Sequence, residues 1–308
     1  MKIGLLFSGQ GSQKVGMGRD LYEAYPDVRE FYDQIQMGFD IKAVSFEGDE
    51  QTLKQTIYTQ PVLVAFHLAV LRQLKALGIP YEYVAGLSLG EFSALVAGGV
   101  LEEKEALALI EKRAQWMSKA CEETEGGLLA VMGLEVEEVE EAIEEVRTQG
   151  AKLQIANLNC PKQVVVGGSL EDLQIIKGYL EEHSSARLAQ LEVQGGFHTD
   201  LMESAYQGFS EDLKGFTFKD ASTPVIYNRL GTPGDRDQIQ QLLAEQLKST
   251  TYFEKSIRYM IDQGVDIFLE IGCNDIFKGF LKRIDRRIRV IPVNSVETLE
   301  QLKEELSA

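Results

Sequence analysis

The segment Gly86-Leu87-Ser88-Leu89-Gly90 constrains the fold of this chain more than any other part of its sequence. It follows the short apolar stretch Tyr83-Val84-Ala85 and precedes a predicted helix over Glu91–Ala97. A serine flanked in this way is typical of a nucleophile held on a tight strand–turn–helix bend with its hydroxyl exposed. The N–H groups that open such a helix favour a nearby oxyanion. The alternative is an ordinary glycine-rich turn, and the setting favours the nucleophile.

Composition excludes several classes of protein. The chain has 308 residues, 44% of them apolar, which is enough for one or two domains. No run of about 18 apolar residues occurs, so we expect no membrane span. The net charge of −17 argues against non-specific binding to nucleic acid or to an anionic membrane.

The N-terminus and the cysteines indicate a cytoplasmic protein. Met1–Phe7 is too short and too soon followed by glycine for a signal peptide, and it predicts a buried first strand. Cys121, Cys160 and Cys273 are odd in number, widely spaced and without a Cys-x-x-Cys pair. This pattern argues against a disulfide framework or a zinc site and favours a reducing compartment.

The middle of the chain predicts a small unit inserted into a larger one. Its predicted elements are a strand at Gly127–Gly133, a helix at Val136–Arg147, strands at Leu153–Asn157 and Val164–Gly167, a helix at Leu170–Glu182 and a strand at Ala186–Val193. The order β-α-β-β-α-β is the ferredoxin-like pattern. We therefore predict a small domain over residues 125–193, inserted into an α/β domain formed by residues 1–124 and 194–308.

Strands that alternate with helices in the larger domain predict a mainly parallel sheet covered on both faces. If the sheet is parallel, the loops after Phe7, Ala85 and Ile271 share one edge, where ligands bind in such folds. Pro61 is predicted in the first turn of a helix over Val62–Leu77.

A serine nucleophile needs a base, and the chain offers three histidines. His67 lies in an apolar helix and is interpreted as a core or groove residue, and His183 ends an acidic helix. His198 follows two glycines and a phenylalanine, a pattern that predicts a tight loop at the domain junction. Acidic candidates such as Asp172 fall inside the small domain, so we expect a backbone carbonyl or an amide to orient His198, giving a dyad.

Arg113 is the second unusual residue. It shares the inward face of a predicted helix with Leu109, Ile110 and Met117. A buried arginine needs a partner, because an unpaired buried charge is very costly. Two interpretations stay open: an ion pair with an internal carboxylate, or a clamp for a substrate carboxylate with Met117 lining the same site.

The loop Gly9-Gln10-Gly11-Ser12-Gln13 follows the first strand. It fails as a dinucleotide fingerprint because Lys14 stands at the sixth position, and it lacks the Gly-Lys-Ser/Thr of a Walker loop. A second oxyanion donor is the better use of its backbone, since such a donor comes from the loop after a neighbouring strand.

Seven segments then add up to a family pattern. They are Gly9–Gln13, Thr59–Pro61, Gly86–Gly90, Arg113, Asn157–Pro161, Phe197-His198 and Pro224–Asn228. In order and spacing they resemble the malonyl-CoA:acyl carrier protein transacylases, the acyltransferases that load malonyl groups in fatty-acid synthesis. The resemblance covers nearly the whole chain. It implies an α/β-hydrolase-like large domain with a ferredoxin-like small domain.

The resemblance also implies residue roles. These are Ser88 as nucleophile, His198 as base, Arg113 as malonyl-carboxylate clamp, the Gln10 and Leu89 amides as oxyanion donors, Gln60 and Asn159 as lining residues, and Phe197 as the side chain that limits bulk beside the malonyl α-carbon. The sequence departs from the family at Leu87, where a histidine is usual. It departs again at Tyr252, aligned with a position whose carbonyl orients the histidine.

We therefore expect a cytoplasmic, monomeric enzyme that moves a malonyl group from malonyl-CoA to the phosphopantetheine thiol of acyl carrier protein, with no metal or bound cofactor. Rival interpretations are a serine esterase or thioesterase, a trans-acting polyketide acyltransferase and a non-catalytic carrier-binding module. An acidic carrier needs a local basic patch on a chain of net charge −17. Lys282, Arg283 and Arg187 are the predicted docking residues, and the alternative is a solvated helix face.

Overall fold

The computed structural model describes residues 2–307 of the chain. The elements before the small sheet are β1 (Ile3–Phe7), α1 (Arg19–Ala24), α2 (Pro26–Gln34), α3 (Glu50–Leu53), α4 (Thr56–Ala76), β2 (Tyr83–Gly86), α5 (Gly90–Ala97) and α6 (Glu103–Glu123). The small sheet and its helices are β3 (Gly126–Met132), α7 (Val136–Arg147), β4 (Leu153–Cys160), β5 (Gln163–Ser169), α8 (Leu170–His183) and β6 (Arg187–Gln190). The rest are α9 (Glu203–Leu213), β7 (Val225–Tyr227), β8 (Thr232–Pro233), α10 (Ile239–Glu245), α11 (Phe253–Asp262), β9 (Ile267–Ile271), α12 (Ile276–Ile284), β10 (Arg289–Pro292) and α13 (Val296–Ser307).

The larger sheet has the strand order β10-β9-β1-β2-β7-β8 and is parallel except for the β7–β8 pair. Phe7 at the end of β1 lies opposite Gly86 on one side and Ile271 on the other. The carboxyl ends of β1, β2 and β9 therefore meet at one edge, as predicted, and the loops that follow them surround the site described below.

Helices cover both faces of the larger sheet because its strands are apolar on both sides. All five residues of β1 are buried. Leu5 and Phe7 belong to the core that includes residues of α4, α5 and α6, whereas Leu6 packs in a second cluster with residues of α11 and α12. Continuous burial of this kind is characteristic of parallel strands between two helical layers.

The second sheet is antiparallel, with the order β4-β5-β3-β6. Helices α7 and α8 pack on one of its faces, where Leu129 and Val131 form a separate hydrophobic cluster with Ile143 and Leu173. The neighbouring residues of β3, Leu128 and Ala130, point to the other face and line a cavity. The β-α-β-β-α-β order is confirmed, and the exact domain bounds at residues 125–193 stay a prediction.

The structure differs from the sequence prediction beside two prolines, the first where a strand was predicted to end at Asn157. Asn159 lies on β4, which continues to Cys160, and the turn is made by Pro161 and Lys162, whose φ is 60°. Pro61 lies inside α4 rather than in its first turn, because that helix begins five residues earlier, at Thr56. Inside a helix a proline removes one backbone hydrogen bond and its ring crowds the carbonyl four residues earlier, so the extensive burial of α4 has to offset that cost. None of the helices in residues 2–307 has the length and apolar character that a bilayer crossing requires.

Candidate active site

Ser88 stands on a sharp turn between β2 and α5. Its φ of 54° lies in the left-handed region that a serine seldom adopts. A Cβ at Gly86 would lie 2.0 Å from the carbonyl carbon of Gly90, and one at Gly90 would lie 2.2 Å from the carbonyl oxygen of Phe7. Both glycines are therefore required by backbone packing, and the turn presses directly against the end of β1.

Asn228, just after β7, holds this turn from the neighbouring strand. Its Oδ1 accepts the N–H of Ser88 at 2.7 Å, and its Nδ2 donates to the carbonyl of Gly86 at 2.6 Å. The buried carboxylate of Glu91 accepts the main-chain N–H of Asn228 at 2.6 Å, and burial raises the pKa of Glu91 to about 7. The nucleophile's backbone is thus fixed by two polar side chains.

His198 lies at hydrogen-bond distance from the nucleophile, with 2.9 Å between its Nε2 and the Oγ of Ser88. Its own φ is 63°, so both residues of the pair occupy left-handed backbone. Burial, followed by the positive charge of Arg113, lowers the pKa of His198 to about 4. The imidazole is therefore neutral at physiological pH and free to accept the serine proton.

A main-chain carbonyl orients this imidazole. Nδ1 of His198 lies 2.7 Å from the carbonyl oxygen of Gln246, so it carries the proton and leaves Nε2 as the acceptor for Ser88. The expectation of a backbone acceptor is met, but the alignment with Tyr252 is wrong. The N–H of Tyr252 instead donates to the carbonyl of Asn228 at 2.8 Å.

Arg113 reaches the nucleophile from the inward face of α6. Its guanidinium is fully buried and donates to the Oγ of Ser88 at 3.0 Å, to the Oε1 of Gln60 at 2.6 Å and to the Oε1 of Gln246 at 2.8 Å. Its Nε has no partner among the described residues. Burial lowers the pKa of Arg113 to about 9, and the charge of Glu91 opposes that shift.

The two interpretations of Arg113 can be compared with these contacts. In residues 2–307 no Asp or Glu forms an ion pair with Arg113, so the direct ion pair is not observed. Its hydrogen-bond partners are neutral side chains. The cation therefore lies beside Ser88 with its charge available to an anionic group of a ligand.

Of the two residues expected to supply oxyanion N–H groups, one adjoins Ser88 in sequence and the other, Gln10, lines the same cavity as Ser88. Leu89 directly follows Ser88 and precedes α5, and Gln10 lies in the loop after β1. Within residues 2–307, the main-chain N–H of neither residue has a hydrogen-bond acceptor. The side chain of Gln10 donates to the Oγ1 of Thr56 at 3.2 Å, which ties this loop to α4.

A cavity of about 600 Å³ opens above Ser88 between the two sheets. Its lining includes every remaining residue of the predicted substrate site: Gln60, Met117, Asn159 and Phe197. Gln60 also donates to the sulfur of Met117 at 3.3 Å. The Oδ1 of Asn159 is buried without a partner in the described residues, so it is open to a donor from a ligand.

The three predicted docking residues line a second cavity, of about 760 Å³, where α12 meets the β4–β5 turn. Arg187, Lys282 and Arg283 lie there with two further cations, Lys162 and Arg286. Arg283 donates to the Oε1 of Gln163, whose side chain also lines the cavity above Ser88. We call these five cations the basic groove, and it adjoins the site through Gln163.

The other two histidines lie away from Ser88. His67 is buried in α4 between the hydroxyls of Ser8 and Ser93. His183 is exposed and stacks on Tyr179 with 4.3 Å between ring centroids. The described residues contain no cluster of His, Cys, Asp or Glu side chains with the geometry of a metal site.

Comparison with known proteins places the chain in a family. A model of the acyl transferase domain matches residues 5–283. The malonyl CoA-acyl carrier protein transacylase of Bacillus subtilis (strain 168) is 39% identical, over 99% of this chain and 98% of its own length. This chain belongs to the malonyl CoA-acyl carrier protein transacylase family. The resemblance inferred from the motifs is therefore confirmed.

Solved structures of family members share the whole fold. The malonyl CoA-acyl carrier protein transacylase of Clostridium perfringens is 32% identical, with a TM-score of 0.94 over 100% of this chain and 98% of its own. A malonyl-transacylase in complex with its type II PKS acyl-carrier protein is 32% identical, with a TM-score of 0.93 over 99% of this chain and 100% of its own. The α/β architecture with a separate small antiparallel sheet is thus that of the transacylase family.

Three residues of this family member's site were given no role from the sequence, although Asn228 lies in one of the matched segments. Gln246 supplies a carbonyl to His198 and a side-chain oxygen to Arg113, and its Nε2 donates to the carbonyl of Ser88 at 3.1 Å. Asn228 and Glu91 support the turn. For Glu91 the available signal was a carboxylate among the apolar residues of α5, since a buried carboxylate needs partners, whereas Gln246 lies among other polar residues.

Proposed function

We propose that this chain transfers a malonyl group from malonyl-CoA to the phosphopantetheine thiol of acyl carrier protein through a malonyl-serine intermediate. The position of Arg113 carries the proposal. A buried guanidinium with neutral partners, 3.0 Å from the nucleophilic oxygen, suits an acyl group that ends in a carboxylate. The names of the relatives support the same donor and acceptor.

In the first half-reaction, Nε2 of His198 takes the proton of Ser88, and Oγ attacks the thioester carbon. The developing oxyanion is stabilised by the N–H groups of Leu89 and Gln10, and Arg113 holds the malonyl carboxylate. The C–S bond then breaks, and the coenzyme A thiolate takes the proton from His198. The product is a malonyl ester on Ser88.

The second half-reaction reverses these steps with a new thiol. The carrier's phosphopantetheine thiol gives its proton to His198 and attacks the ester carbon, and Ser88 recovers the proton when its bond to the acyl group breaks. The amides of Asn159 and Gln163 lie along the cavity toward the basic groove and offer hydrogen bonds to the pantetheine amides. The basic groove would bind the acidic carrier, as the three docking residues were predicted to do.

Two alternatives differ in outcome. A serine esterase or thioesterase would transfer the malonyl group to water and release free malonate. Such an enzyme does not need a buried arginine beside its serine. A trans-acting polyketide role is favoured by one relative, the malonyl-transacylase solved with its type II PKS acyl-carrier protein. Transfer rates to fatty-acid and polyketide carriers, compared at equal concentration, separate the two pathways.

The test is the intact mass of the protein after mixing with malonyl-CoA alone. We expect a gain of one malonyl group that is stable until the carrier is added and is then lost to it. Ser88→Ala should abolish the gain. Ser256→Ala, which removes a buried serine on α11, should retain it. Rapid release of malonate without a carrier would favour the esterase, and an adduct on Ser88→Ala would contradict the serine assignment.

We also propose a cytoplasmic enzyme that acts as a monomer and needs no bound cofactor. The free thiols of Cys121, Cys160 and Cys273 support the reducing compartment. The monomeric state is tested by sedimentation at the concentrations used for activity.

A further inference from the structure

A chain of buried polar side chains runs beneath the Gly9–Gln10 loop and has no part in the chemistry proposed above. Nδ1 of His67 lies 3.0 Å from the Oγ of Ser93, and Nε2 lies 3.0 Å from the Oγ of Ser8. Ser8 Oγ lies 2.7 Å from Ser12 Oγ, which donates to the carbonyl of Gly9 at 2.9 Å. His67, Ser93 and Ser12 are fully buried, and Ser8 nearly so.

The Gly9 end of this hydrogen-bond series fixes which atom donates in the bonds that follow. The carbonyl of Gly9 can only accept, so the proton of Ser12 points to it. Ser12 must then accept from Ser8, and Ser8, having used its proton, must accept from Nε2–H of His67. Burial lowers the pKa of His67 to about 3, so the ring carries a single proton, and its Nδ1 accepts from Ser93. The imidazole is therefore neutral and protonated at Nε2.

These hydrogen bonds join the two elements that carry the oxyanion donors. Ser93 lies on α5, the helix that begins just after Leu89, and Ser8 and Ser12 lie in the loop that contains Gln10. His67, on α4, bonds to both sides at once. The rigid imidazole of His67 therefore sets the separation between α5, which follows Leu89, and the loop that contains Gln10.

We propose that His67 is a positioning residue that sets the spacing of the two oxyanion donors through Ser8 and Ser93. The inference rests on the proposed function for the identity of the reaction. It assigns His67 no contact with substrate and no proton transfer. Its contribution is to hold the donors where the oxyanion forms, and such stabilisation acts on the transition state and not on substrate binding.

The variants His67→Leu and His67→Gln test this role. Leucine fills the space but breaks both hydrogen bonds, whereas glutamine keeps one donor and one acceptor for Ser8 and Ser93. Removing an oxyanion donor typically costs 10²–10³ in kcat, and a displaced donor costs less. We expect His67→Leu to lower kcat for acylation by malonyl-CoA about 10-fold or more, with KM changed less than about 2-fold. His67→Gln should recover most of the loss.

A matched control separates positioning from general destabilisation. Gln73 lies on the same helix, is buried and donates to Asp27 at 2.8 Å, but does not contact the loop. Gln73→Leu should leave kcat unchanged. Equal losses in Gln73→Leu and His67→Leu, an increase confined to KM, or failure of His67→Gln to recover activity would each overturn the inference.

A readout independent of activity keeps the two proposals distinguishable. The ring nitrogens of His67 in ¹⁵N-labelled wild-type protein should show the Nε2–H tautomer across neutral pH. The Nδ1–H tautomer, or an imidazolium, would contradict the assigned hydrogen-bond directions and overturn the inference. If wild-type protein shows the Nε2–H tautomer but forms no malonyl adduct, the proposed function fails and the hydrogen-bond chain stands.

Discussion

At the scale of single residues, the central feature is the buried guanidinium of Arg113, whose hydrogen-bond partners are all neutral. Burying a charge without a directly bonded counter-ion is costly. Arg113 donates to Gln60, Gln246 and Ser88, and the charge of Glu91 acts on it without a hydrogen bond. A carboxylate that enters the cavity supplies a counter-charge in direct contact with the guanidinium. The site therefore favours a ligand with a carboxylate, because binding of that ligand offsets part of the free-energy cost of burying the Arg113 charge.

Arg113→Ala should consequently change substrate preference. Charge-assisted hydrogen bonds contribute about 1.5–3 kcal/mol each, so the loss of two should lower kcat/KM for malonyl-CoA by about two to four orders of magnitude. Acetyl-CoA has no carboxylate, and its transfer should change little or rise. The ratio of the two kcat/KM values measures the effect. A parallel decline of both would assign Arg113 to structure alone.

The pH dependence of acylation follows from the burial of His198. The base works when unprotonated, and burial lowers its pKa to about 4 from an ordinary 6.5. Activity should therefore persist as pH falls below 6.5 and decline only near pH 4. The acid limb of kcat/KM for malonyl-CoA reports this value for the free enzyme. A limb at about 6.5 would indicate a solvated imidazole.

At the scale of elements, the nucleophile depends on β7 as much as on its own strand. Asn228 bonds to both sides of the turn, so the end of one strand holds the end of the next. Asn228→Ala leaves the buried carbonyl of Gly86 and the partly buried N–H of Ser88 without partners, and the buried group alone is worth about 1–3 kcal/mol. We expect both a lower free energy of unfolding in urea and slower acylation.

Asn294→Ala serves as the control for that variant. Asn294 precedes α13, away from the turn, and the hydrogen bond it makes is from its main-chain N–H to Thr298. Removing its side chain should affect neither quantity. Unchanged acylation in Asn228→Ala would show that the two glycines alone hold Ser88 in place.

The elements also show what the sequence could predict. The turn at Ser88 is encoded locally, because two glycines and the apolar flanks lie within a few residues. Gln246 acts on His198 through a main-chain carbonyl, which carries no residue-specific signal and lies 48 positions away. The strand predicted to end at Asn157 continues to Cys160 and includes Asn159, because the chain needs only the two residues Pro161 and Lys162 to reverse.

At the scale of the whole molecule, the junction of the two sheets concentrates positive charge on an acidic protein. Lys282→Glu combined with Arg283→Glu should raise KM for an acidic carrier and flatten its dependence on salt, since rim charges act mainly on encounter. Acylation by malonyl-CoA should be nearly unaffected. Stopped-flow measurement of each half-reaction over a range of ionic strength checks both expectations.

The matched control changes the same total charge elsewhere. Lys104 and Lys152 are exposed and line neither cavity. Lys104→Glu with Lys152→Glu should leave KM for the carrier unchanged. If the control is equally impaired, only net charge matters. If Lys282→Glu with Arg283→Glu slows both half-reactions, the basic groove also binds the phosphates of coenzyme A.

The left-handed backbone at Ser88 and His198 implies a trade-off between stability and activity. A non-glycine residue at φ 54° costs about 1 kcal/mol or more, whereas glycine adopts that conformation freely. Ser88→Gly should therefore melt about 2 °C above Ser88→Ala, which keeps the strain, although both are inactive. The difference in Tm would measure how far selection for a reactive serine has held this fold below the stability that its remaining sequence allows.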